Sequence, residues 1–270
     1  MKKKKAIFYL LPLLLTGCHN IKNQDAIYSI NVLDNSPIEL LADNVINLIE
    51  EKYSFPLLIY TSQCGYCDSA KENINKYVNE YKIAIYQIEI YDKSLSYLNE
   101  RLPNYFPMDG AYPVLFILNK GIISYKSKIN DLTNYSNFKK LMNAYLLESN
   151  LIATSNLDSF KEYQKDNLDY LLFIYNSSQK EEKFIYQKYI YPNLKIKNKN
   201  IVILDYFLLN TNFIDEIKQL FEIENDDINL LSIVEKGEIK TTLSYLGQSD
   251  SEIQLLVDTF FGIDTINSAI

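Results

Sequence analysis

The chain has 270 residues, 47% hydrophobic and 13% aromatic, enough to bury one large core or two modest ones, which excludes a disordered chain and a small disulfide scaffold. Its 27 basic and 34 acidic residues give a net charge of −7, and loss of a leader holding Lys2 to Lys5 and no acid takes this to −11, so no nucleic-acid partner is expected. Three cysteines, Cys18, Cys64 and Cys67, and a lone His19 are too few for a disulfide-dense module or most Cys/His zinc sites, and neither a metal nor another cofactor is expected.

The leader comes first. A lysine run, an apolar stretch over residues 6–15 and then Thr16, Gly17 and Cys18 follow the charged, apolar and small-residue order of a secretory signal. As a helix the apolar stretch reaches about 15 Å, half of a roughly 30 Å hydrocarbon core, so it reads as a signal peptide over 1–17 and not as a transmembrane anchor. Leu15-Thr16-Gly17-Cys18 resembles the lipobox of bacterial lipoproteins. That resemblance implies a diacylglycerol on Cys18 and a lipid-anchored protein at the outer face of the bacterial cytoplasmic membrane, where two chains suffice for stable attachment. An ordinary cleaved signal with an incidental cysteine is the plainer alternative. Export allows thiols to be oxidised, and with Cys18 acylated, Cys64 and Cys67 have only each other.

A polar tether over 18–26 leads to an alternating strand over 27–32, broken at 34–36. Pro37 can start the next helix, with Leu40, Leu41, Val45, Ile46, Leu48 and Ile49 at helical spacing. Residues 55–60 form a short apolar run suited to a buried central strand, and Cys64-Gly65-Tyr66-Cys67 opens a helix to about Tyr81. A strand over 83–90 and a helical stretch over 94–102 precede Pro113. Strands over 114–118 and 122–126, turning at Lys120-Gly121, and a helix over 135–147 close this half. The second half reads in the same order: helix 157–166, strand 170–175, helix 179–191, strand 201–207, helix 213–221, a hairpin of 229–234 and 238–243 turning at Lys236-Gly237, and helix 252–261. Ile59-Tyr60-Thr61-Ser62 lies 115 residues before Ile174-Tyr175-Asn176-Ser177, and Lys120-Gly121 lies 116 before Lys236-Gly237. One α/β unit used twice is the expectation, with domains at 27–149 and 155–270 and a boundary within 150–156.

The cysteine pair carries the chemistry. A Cys64–Cys67 disulfide closes a loop of about four residues, for which chain entropy offers only roughly 2 kcal/mol, so stapling is a weak reason for it. Placement offers a better one: a cysteine at a helix start faces backbone N–H groups and the positive end of the macrodipole, which favour thiolate. Cys64 is the expected nucleophile, and Cys67, one turn on, can attack the Cys64 sulfur of a mixed disulfide. A structural or vestigial disulfide is the alternative.

Strand 55–60, the Cys64-Gly65-Tyr66-Cys67 helix start and Tyr112-Pro113-Val114 ahead of a hairpin together resemble the thioredoxin-like thiol-disulfide oxidoreductases over residues 27–149. The resemblance implies an α/β thioredoxin-like fold, a cis Pro113 beside the cysteines, and a client groove shaped by Pro113 with Tyr112 and Tyr66 beside it. Three departures accompany it: Gln63 replaces the family's tryptophan, Leu58 replaces its buried acid, and no histidine sits between the cysteines. Leu58 implies slow release through Cys67, and the missing histidine implies a potential in the reducing half of the family range. The second half has Gln179, Glu182 and Asn229 at the positions of Cys64, Cys67 and Pro113, and resembles the non-catalytic domains of protein disulfide isomerases. Its Phe184, Tyr186, Tyr189 and Tyr191 can form a binding surface, although a helix must bury at least two of them.

The function expected is a thiol-disulfide oxidoreductase acting on exported proteins with thiols or disulfides and recycled by a membrane redox partner. The competing expectation is a non-enzymatic lipoprotein, a docking or bacteriocin-transport accessory protein with an idle cysteine pair.

Overall fold

The computed structural model describes residues 26–90, 92–107, 112–154, 157–166, 168–176, 178–196, 199–205, 211–221 and 228–263. Its elements up to residue 147 are β1 (Ile27–Tyr28), β2 (Asn31–Val32), β3 (Ile38–Glu39), α1 (Ala42–Glu50), β4 (Phe55–Tyr60), α2 (Gly65–Tyr81), β5 (Tyr86–Glu89), α3 (Asp92–Arg101), β6 (Val114–Asn119), β7 (Ile122–Lys126), α4 (Ile129–Thr133), α5 (Tyr135–Tyr145) and β8 (Leu146–Leu147). They are followed by β9 (Leu151–Ala153), α6 (Leu157–Lys165), β10 (Tyr170–Tyr175), α7 (Lys180–Ile185), β11 (Asn200–Asp205), α8 (Thr211–Leu220), β12 (Leu230–Glu235), β13 (Glu238–Ser244) and α9 (Asp250–Phe261).

Two sheets are built to one plan. The first has the order β3-β5-β4-β6-β7, and the second has β9-β11-β10-β12-β13 with β2 added outside β9. In both, the first three of these strands run parallel and the last two are antiparallel neighbours. The registers agree residue for residue: Phe55 opposes Leu118 as Tyr170 opposes Val234, and each hairpin has its irregularity at the same step, Ile117/Leu118 and Ile233/Val234. Lys120 and Gly121 have φ of 52° and 68°, Lys236 and Gly237 have 53° and 77°. Two successive positive values define the tight hairpin turn that matches strand twist. The chain is a mixed α/β protein of two thioredoxin-like units in tandem.

Burial follows from layering. All six residues of β4 and of β10 are buried, because helices cover both faces of each sheet and leave these central strands no polar side. In β10 the side chains divide by parity. Leu171, Phe173 and Tyr175 join one core with Ile185, Tyr186, Tyr189, Ile253 and Val257, while Tyr170, Leu172 and Ile174 join another with Phe160 and Ile217.

The structure departs from the sequence reading at several places. Residues 27–32 are two short strands, and neither pairs within the first sheet: β1 pairs with β8, and β2 with β9 of the second. Alternation identifies a strand but not its partner. The first sheet takes Ile38–Glu39 as its edge instead, so the helix expected from Pro37 begins at Ala42. The stretch 150–156 carries β9, and residues 155–156 lie outside the described ones. The helix expected over 179–191 is α-helical only to Ile185, then π-helical over Tyr186–Ile190 and 3-10 over Tyr191–Asn193. In it Tyr186 and Tyr189 are buried and Phe184 is exposed.

Candidate active site

The site stands at the carboxyl end of β4. The antiparallel register that pairs Ile59 with Val114 brings the residue before β6, Pro113, opposite the end of β4, three residues before the turn that carries Cys64. Cys64 is the N-cap of α2, with extended dihedrals of −117° and 122°, and Gly65 and Tyr66 form the first helical turn with Cys67. A Cβ on Gly65 would meet nothing within 4 Å, so this turn is open to solvent.

Cys64 and Cys67 form a disulfide, with their Cα atoms 5.3 Å apart. The two sulfurs are not equivalent. Cys64 is partly exposed, whereas Cys67 is 2% exposed and belongs to the core with Ala70 and Ile74. An incoming group therefore meets Cys64 first. The Tyr112–Pro113 peptide is cis and Pro113 is buried. The Tyr112 carbonyl oxygen is 3.2 Å from Cys64 Sγ, so in the dithiol the Cys64 S–H can donate to it. Burial raises the Tyr112 phenol above its ordinary pKa and keeps it neutral. Tyr66 is 61% exposed beside the disulfide. The structure thus brings Cys64, Cys67, Tyr66, Tyr112 and Pro113 together; Cys18 lies outside the described residues.

Leu58 is fully buried in the strand, opposite Leu115 and beside Gln87, so the position where the family has an acid is hydrocarbon here. Tyr60 ends β4 with its hydroxyl donating to Glu39, at 3.4 and 3.2 Å from the two carboxylate oxygens, and with Lys71 Nζ 4.5 Å from its ring centre. Sequence reasoning missed Ser127, which is buried after β7: its Oγ accepts from Leu115 N–H and its N–H donates to Leu115 O, both at 2.8 Å. These bonds hold the strand that follows Pro113. Nothing in the sequence marks a serine 12 residues away as that partner.

In the second unit Gln179 is the N-cap of α7, and Glu182 is buried where Cys67 stands in the first. Asn229 accepts through its side chain from Ser244 and through its carbonyl from Tyr245 N–H. No thiol is present there.

No protein-family model matches the chain, and no curated protein matches it. Among solved structures, the chain is similar to thioredoxin f of spinach chloroplast at 15% identity, covering 42% of this chain and 96% of that one, with a TM-score of 0.33. The zinc-bound form of human ERp44 is similar at 9% identity over 83% of this chain and 60% of that one, TM-score 0.29. The first two thioredoxin domains of Naumovozyma dairenensis Eps1p are similar at 13% identity over 82% of this chain and 96% of that one, TM-score 0.29. At these identities and TM-scores the likeness carries no argument about the activity.

Proposed function

We propose that the protein is a thiol-disulfide oxidoreductase of exported proteins, held by lipid on Cys18 at the outer face of a bacterial cytoplasmic membrane. The observation that carries the reading is the asymmetric disulfide at a helix N-terminus, with an accessible Cys64, a buried Cys67 and the Tyr112 carbonyl beside the outer sulfur. As a reductant, the Cys64 thiolate attacks one sulfur of a client disulfide and the other client sulfur leaves as thiolate. Cys67 then attacks the Cys64 sulfur, the Cys64–Cys67 disulfide forms, and the client leaves with both thiols reduced. Two electrons pass from the pair to the client, and a membrane dithiol relay returns them. The reverse sequence oxidises a client. Pro113 and Tyr112 shape the groove and Tyr66 borders it.

With Leu58 at this position no carboxylate there receives the proton of the inner sulfur, so resolution is the slow step and mixed disulfides should accumulate. Cys67→Ser, expressed in the exporting cell, should trap clients as mixed disulfides that the Cys64→Ser, Cys67→Ser double variant does not capture. Equal capture by the two would leave an accessory lipoprotein with an idle pair. The reduction potential sets the direction, a value near about −270 mV marking a reductant and one near about −120 mV an oxidant.

A further inference from the structure

A cavity of about 380 Å³ lies at the seam between the two units, and both line it. It is distinct from the disulfide site: it opens beside Tyr53 and Ser54 at the start of β4, and the length of that strand, about 20 Å, separates it from Cys64. Its interior is apolar. Ile38 and Leu48 come from the first unit, Leu151 and Ile203 from the second, and the Tyr175 and Tyr186 rings stack beside them at 5.7 Å and 9°. The Tyr175 hydroxyl is bonded to that of Tyr53 at 3.1 Å, so this wall offers ring surface. The volume is within the range of about 300–1,000 Å³ that small-molecule sites occupy.

The mouth carries the charge. Lys52 closes the turn between α1 and β4 at φ 59°, and Lys120 begins the turn between β6 and β7 at φ 52°. Both side chains are exposed and both line the cavity. The two turns are bonded to each other, Gly121 N–H donating to Tyr53 O at 2.8 Å and Lys120 N–H to Ser54 Oγ at 2.9 Å, so one frame carries both lysines. Among the described residues neither lysine has an acidic partner: Glu50 pairs with Arg101 and Glu51 with Lys183. The repeat supplies a contrast. Register places Asp169 of the second unit where Ser54 stands in the first, and the Asp169 carboxylate accepts from Lys236 N–H at 2.9 Å, so that turn has an acid beside its lysine and the turn at the cavity has a hydroxyl. Asp205 is the one acid among the described lining residues and has an interaction partner of its own. Two lysines against that one engaged acid leave the mouth cationic on a chain of net charge −7, and a cation beside an apolar, poorly hydrated space attracts an anion more strongly than one in open water.

We propose that this cavity binds a small carboxylate with an apolar body, the body against the Tyr175 and Tyr186 rings and the carboxylate at the mouth on Lys52 and Lys120. The site is independent of the redox pair. Calorimetric titration of the full chain with its disulfide oxidised tests this with three probes of one size: anionic 4-phenylbutyrate, neutral 4-phenylbutanol and cationic 4-phenylbutylamine. The acid should bind at least about fivefold more tightly than the alcohol, and the amine should bind most weakly. Added salt should weaken the acid and spare the alcohol. Both lysines are exposed on turns, so Lys52→Gln combined with Lys120→Gln leaves the core intact and should bring the acid down to the affinity of the alcohol. Equal binding of the three, a preference for the amine, binding of none, or an unchanged preference for the acid in the double variant overturns the proposal. Should the double variant fail to fold, the wild-type chain decides: the acid should shift the ring resonances of Tyr175 and Tyr186 and leave Tyr66 unmoved, and shifts confined to other tyrosines reject the site.

Discussion

Tyr245 donates its hydroxyl to Glu182 Oε2 at 2.7 Å, in the second unit, at the position where the first unit has Cys67. The same hydroxyl lies 3.1 Å from Ile174 O, and Glu182 also accepts from Asn176 N–H at 2.8 Å. Where the first unit has Cys67, the second has a buried carboxylate that ties the start of α7 to the end of β10 and to the segment after β13. Removing the donor with Tyr245→Phe leaves that carboxylate short of a partner, a loss of about 2–3 kcal/mol. Urea unfolding of the variant should report it, and the reduction potential of the remote Cys64–Cys67 pair should not move. A stability unchanged within error would show that the carboxylate does not depend on this bond.

Ser127 has the equivalent task in the first unit, holding the strand next to Pro113. Ser127→Ala leaves the buried Leu115 N–H without an acceptor and is expected to cost about 1–3 kcal/mol. Ser127→Thr keeps the oxygen and should retain most of that stability. With Cys67→Ser in the background, Ser127→Ala should also slow mixed-disulfide formation, and the threonine variant should restore the rate.

The parts of this fold that the sequence makes legible are those whose signal is local. Phe55 to Tyr60 and Tyr170 to Tyr175 are long enough as apolar runs to read as central strands, Lys-Gly pairs mark both hairpins, and the cysteines and Pro113 announce the site. Ile38–Glu39 and Leu151–Ala153, two and three residues long, carry no periodicity, and only their pairing with β5 and β11 makes them strands. The assignment of Asn31 to the second sheet depends on Ile152, 121 residues away. The cavity at the seam was illegible for the same reason: Tyr53, Tyr175 and Asp205 meet only through tertiary structure, and the helical pattern of 179–191 does not reveal a π turn, because one extra residue per turn leaves a short apolar stripe nearly unchanged.

Two of the four described glycines with positive φ, Gly121 and Gly247, separate steric from conformational cost. A Cβ on Gly121, at φ 68°, would stand 2.3 Å from Ile49 O, whereas one on Gly247, at φ 85°, meets nothing within 4 Å. Gly121→Ala therefore adds a backbone clash to left-handed strain and should lose about 2–4 kcal/mol, against about 1–2 kcal/mol for Gly247→Ala, which has the strain alone. Urea midpoints of the two variants decide; equal losses would mean that the α1–β4 turn simply moves away.

The phenols at the seam and in the core should delay alkaline ionisation. Burial pushes Tyr77 up to about 12 and also raises Tyr53, Tyr86, Tyr175 and Tyr186, in each case first by desolvation. A folded-state pKa above the unfolded value near 10 means that the neutral phenol is favoured by folding. This contribution is complete below about pH 10 and is lost as pH rises toward the folded values. Absorbance titration of the phenolates should therefore show a late set that ionises together with loss of the far-UV circular dichroism. A single smooth titration with structure intact would contradict the burial of these rings.

At the acid end the group to watch is Glu80, which accepts from the Tyr135 hydroxyl and from Lys139 Nζ at 3.2 Å. The Tyr135 hydrogen bond first, then Tyr81 and Lys139, lower its pKa from the ordinary 4.5 to about 2. A carboxyl that binds its proton less tightly when folded contributes stability that is complete above the unfolded value and is lost as pH falls toward the folded one. The window is thus from about pH 4.5 down to about pH 2. Glu80→Gln should lower the thermal midpoint at neutral pH, the difference from wild type should shrink through that window, and the two proteins should unfold alike below it. Tyr135→Phe removes the largest cause and should shift the start of the decline toward the ordinary carboxylate value. Because the cluster is exposed, added salt should weaken the Lys139 part and spare the Tyr135 part. A difference between wild type and Glu80→Gln that stays constant from neutral pH to pH 2 would show that the α2–α5 contact does not depend on the charge of Glu80.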